Sequence, residues 1–176
     1  EKRMGNLERI TTNYDEQEDR ITLAGLTEKG QTVVLWLTMR LASRLIKHCL
    51  GVLEKDHPES EEIYNANKGS KESIQNFVQK SAEQQTAQET AVKVEQNSPK
   101  YLVVEIDIKV VGTGVTLTFK EQFSTCYEIF LNSQQVRQWL GMLHTIWQKT
   151  EWPKEIWPDW MAVDSSQPTS EEVSVH

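Results

Sequence analysis

The chain has 176 residues, 26 acidic against 19 basic, for a formal net charge of -7, and only two cysteines. That balance argues against general binding to nucleic acid or to anionic membranes, and the cysteine count excludes a disulfide framework. No apolar run is long enough to span a bilayer and no charged-then-apolar leader is present, so the expectation is one domain plus disordered parts in a reducing cytoplasm.

Residues 7–14 predict a first strand, followed by an acidic turn from Asp15 to Asp19. Residues 20–26 alternate, with Ile21 and Leu23 on one face and Thr22 and Ala24 on the other, as a half-buried strand does. Gly30 closes the next turn, where it can supply a positive φ. Residues 32–37 are nearly all apolar and partly β-branched, which suits a strand covered on both faces. Thr38 then caps a helix over residues 39–53, because its hydroxyl can accept a bond from an unpaired first-turn N–H. Leu41, Ala42, Leu45, Ile46, Cys49, Val52 and Leu53 recur at steps of three and four and form its core face. Arg40, Arg44, Lys47 and His48 fall on the opposite side.

Composition changes over residues 54–99, which are rich in Glu, Gln, Lys, Ser and Asn and poor in large apolar residues. Such a stretch buries too little surface to offset its ordering entropy, and disorder is expected. Residues 71–94 lack Pro and Gly, and Ile74, Phe77 and Val78 have the spacing of a transient or partner-induced helix. Residues 101–111 then read as the cleanest strand, with Leu102, Val104, Ile106, Ile108 and Val110 on one face. A turn at Gly112, Thr113 and Gly114 leads into a strand over residues 115–119. A last strand carries Tyr127, Ile129 and Leu131, and a helix capped by Asn132 or Ser133 carries Val136, Trp139, Leu140, Leu143, Ile146 and Trp147. Trp152, Trp157 and Trp160 follow, with Pro153 and Pro158 holding the chain extended, before an acidic, frayed end over residues 164–176.

Sliding the sequence by 94 positions pairs Ile21 with Val115, Leu23 with Leu117, and Leu35-Trp36-Leu37 with Ile129-Phe130-Leu131, without a gap. The expected fold is therefore α+β: two βββα repeats, residues 1–53 and 100–151, in one domain. They would form a six-stranded, mainly antiparallel sheet, or a curled sheet or small barrel, with two packed helices. Residues 54–99 form the linker and 152–176 the Trp/Pro-rich segment and tail. The core would contain Leu35, Leu37, Leu45, Leu117, Ile129, Leu131, Trp139 and Leu140.

Trp36 and Phe130 occupy equivalent positions on the other sheet face, where two large aromatics call for a cover. The Trp-rich segment, a second copy or another partner could supply it. Trp152, Trp157 and Trp160 are either docking anchors of the kind that dominate interfaces or a self-docked segment. The stripe of Arg40, Arg44 and Lys47 could hold phosphates, but cations near a helix C-terminus are also simply well placed for the dipole. Glu105, Asp107 and Glu128 lack a third ligand motif, and Cys49 with His48 or Cys126 with His144 lacks any nucleophile context. The two cysteines and His48, His57, His144 and His176 have no zinc spacing. No catalytic residue, metal or cofactor is expected.

Asp19-Arg20-Ile21-Thr22-Leu23-Ala24-Gly25 followed by Leu35-Trp36-Leu37-Thr38-Met39-Arg40-Leu41 resembles a pattern in a group of uncharacterised proteobacterial proteins, D-R-I-x-L-x-G then L-W-L-T-x-R-L. The resemblance covers about the first third of the chain. It implies a bacterial origin and carries no function or catalytic residue. The expectation is a non-enzymatic, cytoplasmic protein-interaction domain that binds another protein or itself through Trp36, Phe130, Trp152, Trp157 and Trp160. The alternative is a nucleic-acid module using the basic face of helix 39–53.

Overall fold

A computed structural model describes residues 3–55, 69–86 and 89–161. Seven strands lie in one sheet: β1 (Arg3–Asp15), β2 (Arg20–Thr27), β3 (Thr32–Leu37), β4 (Lys100–Leu102), β5 (Glu105–Val111), β6 (Gly114–Lys120) and β7 (Thr125–Leu131). Among the described residues there are three α-helices, α1 (Met39–Lys55), α2 (Gly69–Gln84) and α3 (Ser133–Gln148), and a 3-10 turn at Asp159–Met161. The sheet order is β4-β3-β2-β1-β7-β6-β5. Hairpins β1–β2, β2–β3, β5–β6 and β6–β7 are antiparallel, whereas β1–β7 and β3–β4 are parallel. The class is α+β as expected, with a curled and mixed sheet.

Residues 101–111 depart from the single strand predicted for them. The Val103 N–H donates to the Trp36 carbonyl at 3.0 Å, while the next N–H, of Val104, donates to the Lys120 carbonyl at 2.9 Å. The chain thus leaves one end of the sheet and enters the other within one residue. This splits the predicted strand into β4 and β5 and makes seven strands instead of six. It also shifts the alternation. Val103 is buried, and Leu102 and Val104 are exposed. An alternating sequence specifies two faces but not which neighbour each part of the strand will pair with.

The concave face holds Ile21, Leu23, Val33, Leu35 and Leu37 from one half and Val115, Leu117, Phe119, Ile129 and Leu131 from the other. Onto it pack α1, against β2 and β5, and α3, against β1, β6 and β7, with the two helices touching. The eight core positions expected from the sequence are all buried. Both helix starts follow the local chemistry. The Thr38 hydroxyl accepts from the Leu41 N–H at 3.3 Å, and Asn132 forms a full capping box with Gln135. Cys49 lies on the buried stripe of α1, as its helical spacing requires.

The convex face is covered over part of its width. Thr11, Ala24 and Val34 form one row across β1, β2 and β3, and Ala24 and Val34 are buried. Val92, also buried, donates its N–H to the Thr11 hydroxyl at 2.9 Å, Ser98 bonds Thr32, and Pro99 accepts from the Val34 N–H at 2.9 Å. Residues 89–99 therefore run as a strap over this face.

Helix α2 lies within the stretch whose composition predicts disorder. Its ordering rests on polar rather than apolar contacts. Arg137 of α3, only 2 % exposed, donates to Gln75 Oε1 at 2.8 Å, and Gln75 donates to the Leu53 carbonyl at 3.4 Å. Gln79 donates to the Arg137 carbonyl at 2.8 Å, and Asn76 to the Trp160 carbonyl at 2.7 Å. Glu83 packs so closely on Gly141 that a Cβ there would collide with its carboxylate. Glutamine counts toward disorder in a composition, yet here its amides satisfy buried partners. Two parts of the predicted linker, residues 56–68 and 87–88, and the predicted frayed end, 164–176, lie outside the described residues, as do His57 and His176.

Removing the buried guanidinium would leave Gln75 without its charged donor. Arg137→Leu is expected to lower stability by about 2–4 kcal/mol. Hydrogen exchange should show the amides of α2 losing protection before those of β2 and β6. Uniform loss across the molecule would contradict a separate polar docking of α2.

Candidate functional site

The three tryptophans of the C-terminal segment are buried in the chain's own core. Trp152 meets Tyr14 edge-on at 5.5 Å and Trp147 at 4.8 Å, and Trp157 meets Trp147 at 5.9 Å. Among the described residues the buried Trp157 indole N–H has no hydrogen-bond partner, while those of Trp152 and of its neighbour Trp147 on α3 are partnered within the fold. Trp152 donates its indole N–H to Asp19 at 2.7 Å, and Trp147 donates to the Pro153 carbonyl at 2.8 Å. Asp19 also accepts from the Tyr14 hydroxyl, and this bond, aided by burial and by the charge of Asp19, pushes the phenol pKa up to about 12. Trp160 is stacked near the Arg137 guanidinium, 5.9 Å from its ring centre. The prolines that keep this segment extended let its aromatics fold back on α3 and the end of β1.

Trp36 and Phe130, equivalent in sequence, are not brought together. Trp36 lies on β3 in a convex row with Thr22 and Leu102, half-buried, with the Arg20 guanidinium 5.9 Å from its ring. Phe130 lies on β7 in a row with Thr116 and is 53 % exposed. Its ring rests over Gly114, where any Cβ would strike both the ring and the Leu131 carbonyl. Neither the Trp segment nor α2 reaches across Phe130.

Exposed apolar residues concentrate elsewhere, on the segment that changes sheet edges. Leu102 (41 %), Val104 (54 %), Val110 (52 %) and Val111 are all exposed, and Ile106 and Ile108 beside them are only half-buried. Leu102 is the cross-strand neighbour of Trp36, so the apolar strip continues onto β3. The strip was hidden in the sequence because a regular alternation assigned Leu102 and Val104 to the core. The one available signal was an excess of apolar residues over the space on a single face: Val103 and Val111 stand on the supposedly wet side.

The charged groups nearby are consumed locally. Lys120 bridges Glu105 at 3.1 Å and Asp107 at 2.5 Å, and these partners, Asp107 first, hold its pKa above the ordinary value. Glu128 accepts from the Thr118 hydroxyl at 3.1 Å. Among the described residues no cluster of His, Cys, Asp and Glu could hold a metal ion. Both cysteines are buried and free, and burial pushes the Cys49 thiol up to about 12, far from a nucleophile's range. Arg40, Arg44, Lys47 and His48 are all exposed along the outer side of α1.

A cleft of about 780 Å³ opens where β1 leaves β7 and runs beside the first turns of α3. Ile10, Ala91, Ile129, Leu131, Trp139 and Met142 form its apolar lining, with Glu8 and Glu89 among its polar residues, and no His, Cys or Lys stands among the described residues that line it. Trp139 spans it to donate to the Thr12 hydroxyl at 2.9 Å. No helix among the described residues is long and apolar enough to cross a membrane. Comparison with protein-family models, with curated proteins and with solved structures finds no match.

Two outcomes separate core aromatics from surface ones. Trp152→Ala should cost about 3–5 kcal/mol in denaturant unfolding, whereas Phe130→Ser should change stability by no more than about 0.5 kcal/mol. Equal effects would show that the two rings have been assigned to the wrong environments. The second outcome concerns pH. His144 sits edge-on to Trp157, 5.0 Å away, and burial lowers its pKa, against a smaller opposing effect of Glu83. The unfolded imidazole therefore binds its proton more readily than the folded one. Stability from this group is complete above about pH 6.5 and declines as the pH falls below that value. Thermal melts at about pH 7.5 and pH 5.5 should show a smaller decrease for His144→Gln than for the wild type, with the pH range set by the ordinary imidazole value. An equal decrease would remove His144 as the cause.

Proposed function

We propose that this chain is a non-enzymatic protein-interaction domain of a bacterial cytoplasmic protein, and that it associates through residues 102–111 together with Trp36. The observation that carries this reading is the strip of Leu102, Val104, Val110 and Val111, four exposed apolar side chains on one segment that ends the sheet. Exposed apolar side chains along an edge strand, here interspersed with Glu105, Asp107 and Lys109, are a usual mark of an association site. The bacterial assignment rests on the D-R-I-x-L-x-G and L-W-L-T-x-R-L phrases, and the cytoplasmic one on two unpaired, buried thiols.

We further infer that the domain is built from two βββα repeats offset by 94 residues. The registers support this. Asn6 faces Glu128 at one parallel seam, and the equivalent pair, Lys100 and Val34, faces at the other. Ile21 opposite Leu37 likewise has Val115 opposite Leu131 as its equivalent. The comparison sharpens the functional reading. Beside the first seam, β1 has Gln85, Thr86, Glu89, Thr90 and Ala91 across the cleft from it. The equivalent strand of the second half, β5, ends the sheet and keeps its apolar residues exposed.

The alternative, nucleic acid on Arg40, Arg44 and Lys47, has the exposure of that stripe in its favour and the overall charge of -7 against it.

The reading is tested by placing a photo-crosslinking residue at position 104 or 110, with Glu18, on the acidic turn, as control. Irradiation in the host cell should give adducts from 104 and 110 and none from 18. The adduct mass distinguishes a second copy from a different protein. No adduct at either strip position would overturn the reading.

A further inference from the structure

We propose that the partner on this strip is a second copy of the chain, and that β5 pairs antiparallel with β5 of that copy about a two-fold axis at Ile108. The proposal rests on the association reading above and specifies its occupant and register.

Backbone parity comes first. Val111 and Gly114 flank the two-residue loop Gly112-Thr113, with Gly112 at φ +59° as a hairpin turn of this length requires. The pair closing such a hairpin exchanges both backbone bonds, and bonded pairs alternate from there. Lys109, Asp107 and Glu105 therefore turn their N–H and C=O groups toward β6, with Thr116, Thr118 and Lys120 as their register partners. Ile106, Ile108 and Val110 turn theirs to the other edge, which has no strand beside it among the described residues. An edge of this kind is a template for another strand.

Two antiparallel copies of β5 can bond only if these three residues face one another. With the axis at Ile108, Ile108 meets its own copy and Ile106 meets the partner's Val110. The half-buried and exposed apolar side chains of the concave face then lie opposite each other. On the convex face Asp107 stands opposite the partner's Lys109, and the reverse pair forms by symmetry. A slip of two residues in one direction sets Asp107 against the partner's Asp107. The same slip in the other direction sets Lys109 against the partner's Lys109. Like charges directly opposite are destabilising and opposite ones stabilising, so the sequence of β5 selects one register of its own pairing.

The local ion pairs fit the same arrangement. Lys120 bridges Glu105 and Asp107 within the chain, and across the axis each Asp107 faces the partner's Lys109. These are exposed ion pairs, worth little each, so their effect is on register more than on affinity, while the apolar pairs supply the burial.

The test is sedimentation velocity of the full chain at rising concentration, for the wild type, Asp107→Lys, Lys109→Asp and the double exchange, each checked for an unchanged thermal melt. Each single variant turns two attractive pairs repulsive and should raise the dimer dissociation constant at least about tenfold. The double exchange restores opposite charges across the axis and should return it to within about threefold of the wild type. Recovery cannot come from the internal bridge, because the double variant lacks the Asp107–Lys120 pair just as Asp107→Lys does. Lys109→Asp leaves that bridge untouched and keeps the comparison open if Asp107→Lys disturbs the strand. A dimer indifferent to both single variants, or a folded double variant that does not recover, would overturn the pairing. A wild-type monomer up to about 1 mM would overturn it as well. In that last case, adducts from position 110 to a different protein would leave the association reading standing, and no adducts would remove both.

Discussion

One chain segment ties the two ends of the sheet together. Consecutive N–H groups of Val103 and Val104 bond to β3 and β6, the strands next to the two ends of the strand order. The sheet must curl to let both bonds form, and the curl creates the concave face that α1 and α3 fill. The bend has a consequence on the outside too. Reversing the alternation at Val103 buries that side chain and turns Leu102 and Val104 to the surface. The same device that closes the core therefore produces the apolar strip.

Around that core the molecule uses aromatic and polar contacts in separate places. The aromatic cluster of Tyr14, Trp147, Trp152 and Trp157 joins the end of β1 to the end of α3 and gives each indole or phenol a geometry its quadrupole favours. The α2–α3 contact is instead made from glutamine amides and a buried arginine. Such a contact gains little from burial, and it is specific, because any misplacement leaves amide groups unsatisfied in the interior. Close approach of the two helices also needs Gly141, since a larger residue would meet Glu83.

The two halves differ most in what lies over them. The convex face of β1, β2 and β3 is strapped by residues 89–99, and α2 rests on α3, so the material between the halves serves chiefly the first seam and the second helix. The convex face of β6 and β7 keeps Phe130 exposed, and β5 keeps its valines exposed. Association, in the reading proposed above, is placed where the described residues supply no cover.

Elements were legible in the sequence because their signals are local. Apolar spacing gave α1 and α3, β-branched runs and turn residues gave the hairpins, and both helix caps are single side chains bonding within three residues. The eight core positions followed from periodicity alone. Three features depended on partners distant in sequence. Composition read residues 71–94 as a transient or partner-induced helix, because the acceptors that fix Gln75 and Gln79 lie on α1 and α3. Alternation placed Leu102 and Val104 in the core, because it cannot encode that a strand changes neighbours partway along. The matching sequence positions of Trp36 and Phe130 suggested a shared surface, yet β3 and β7, which carry them, are not neighbours in the sheet. The sequence by itself determined which residues prefer to be buried and in what local conformation. Only the tertiary structure decided which of them run out of cover, since that depends on which edges the curled sheet brings together.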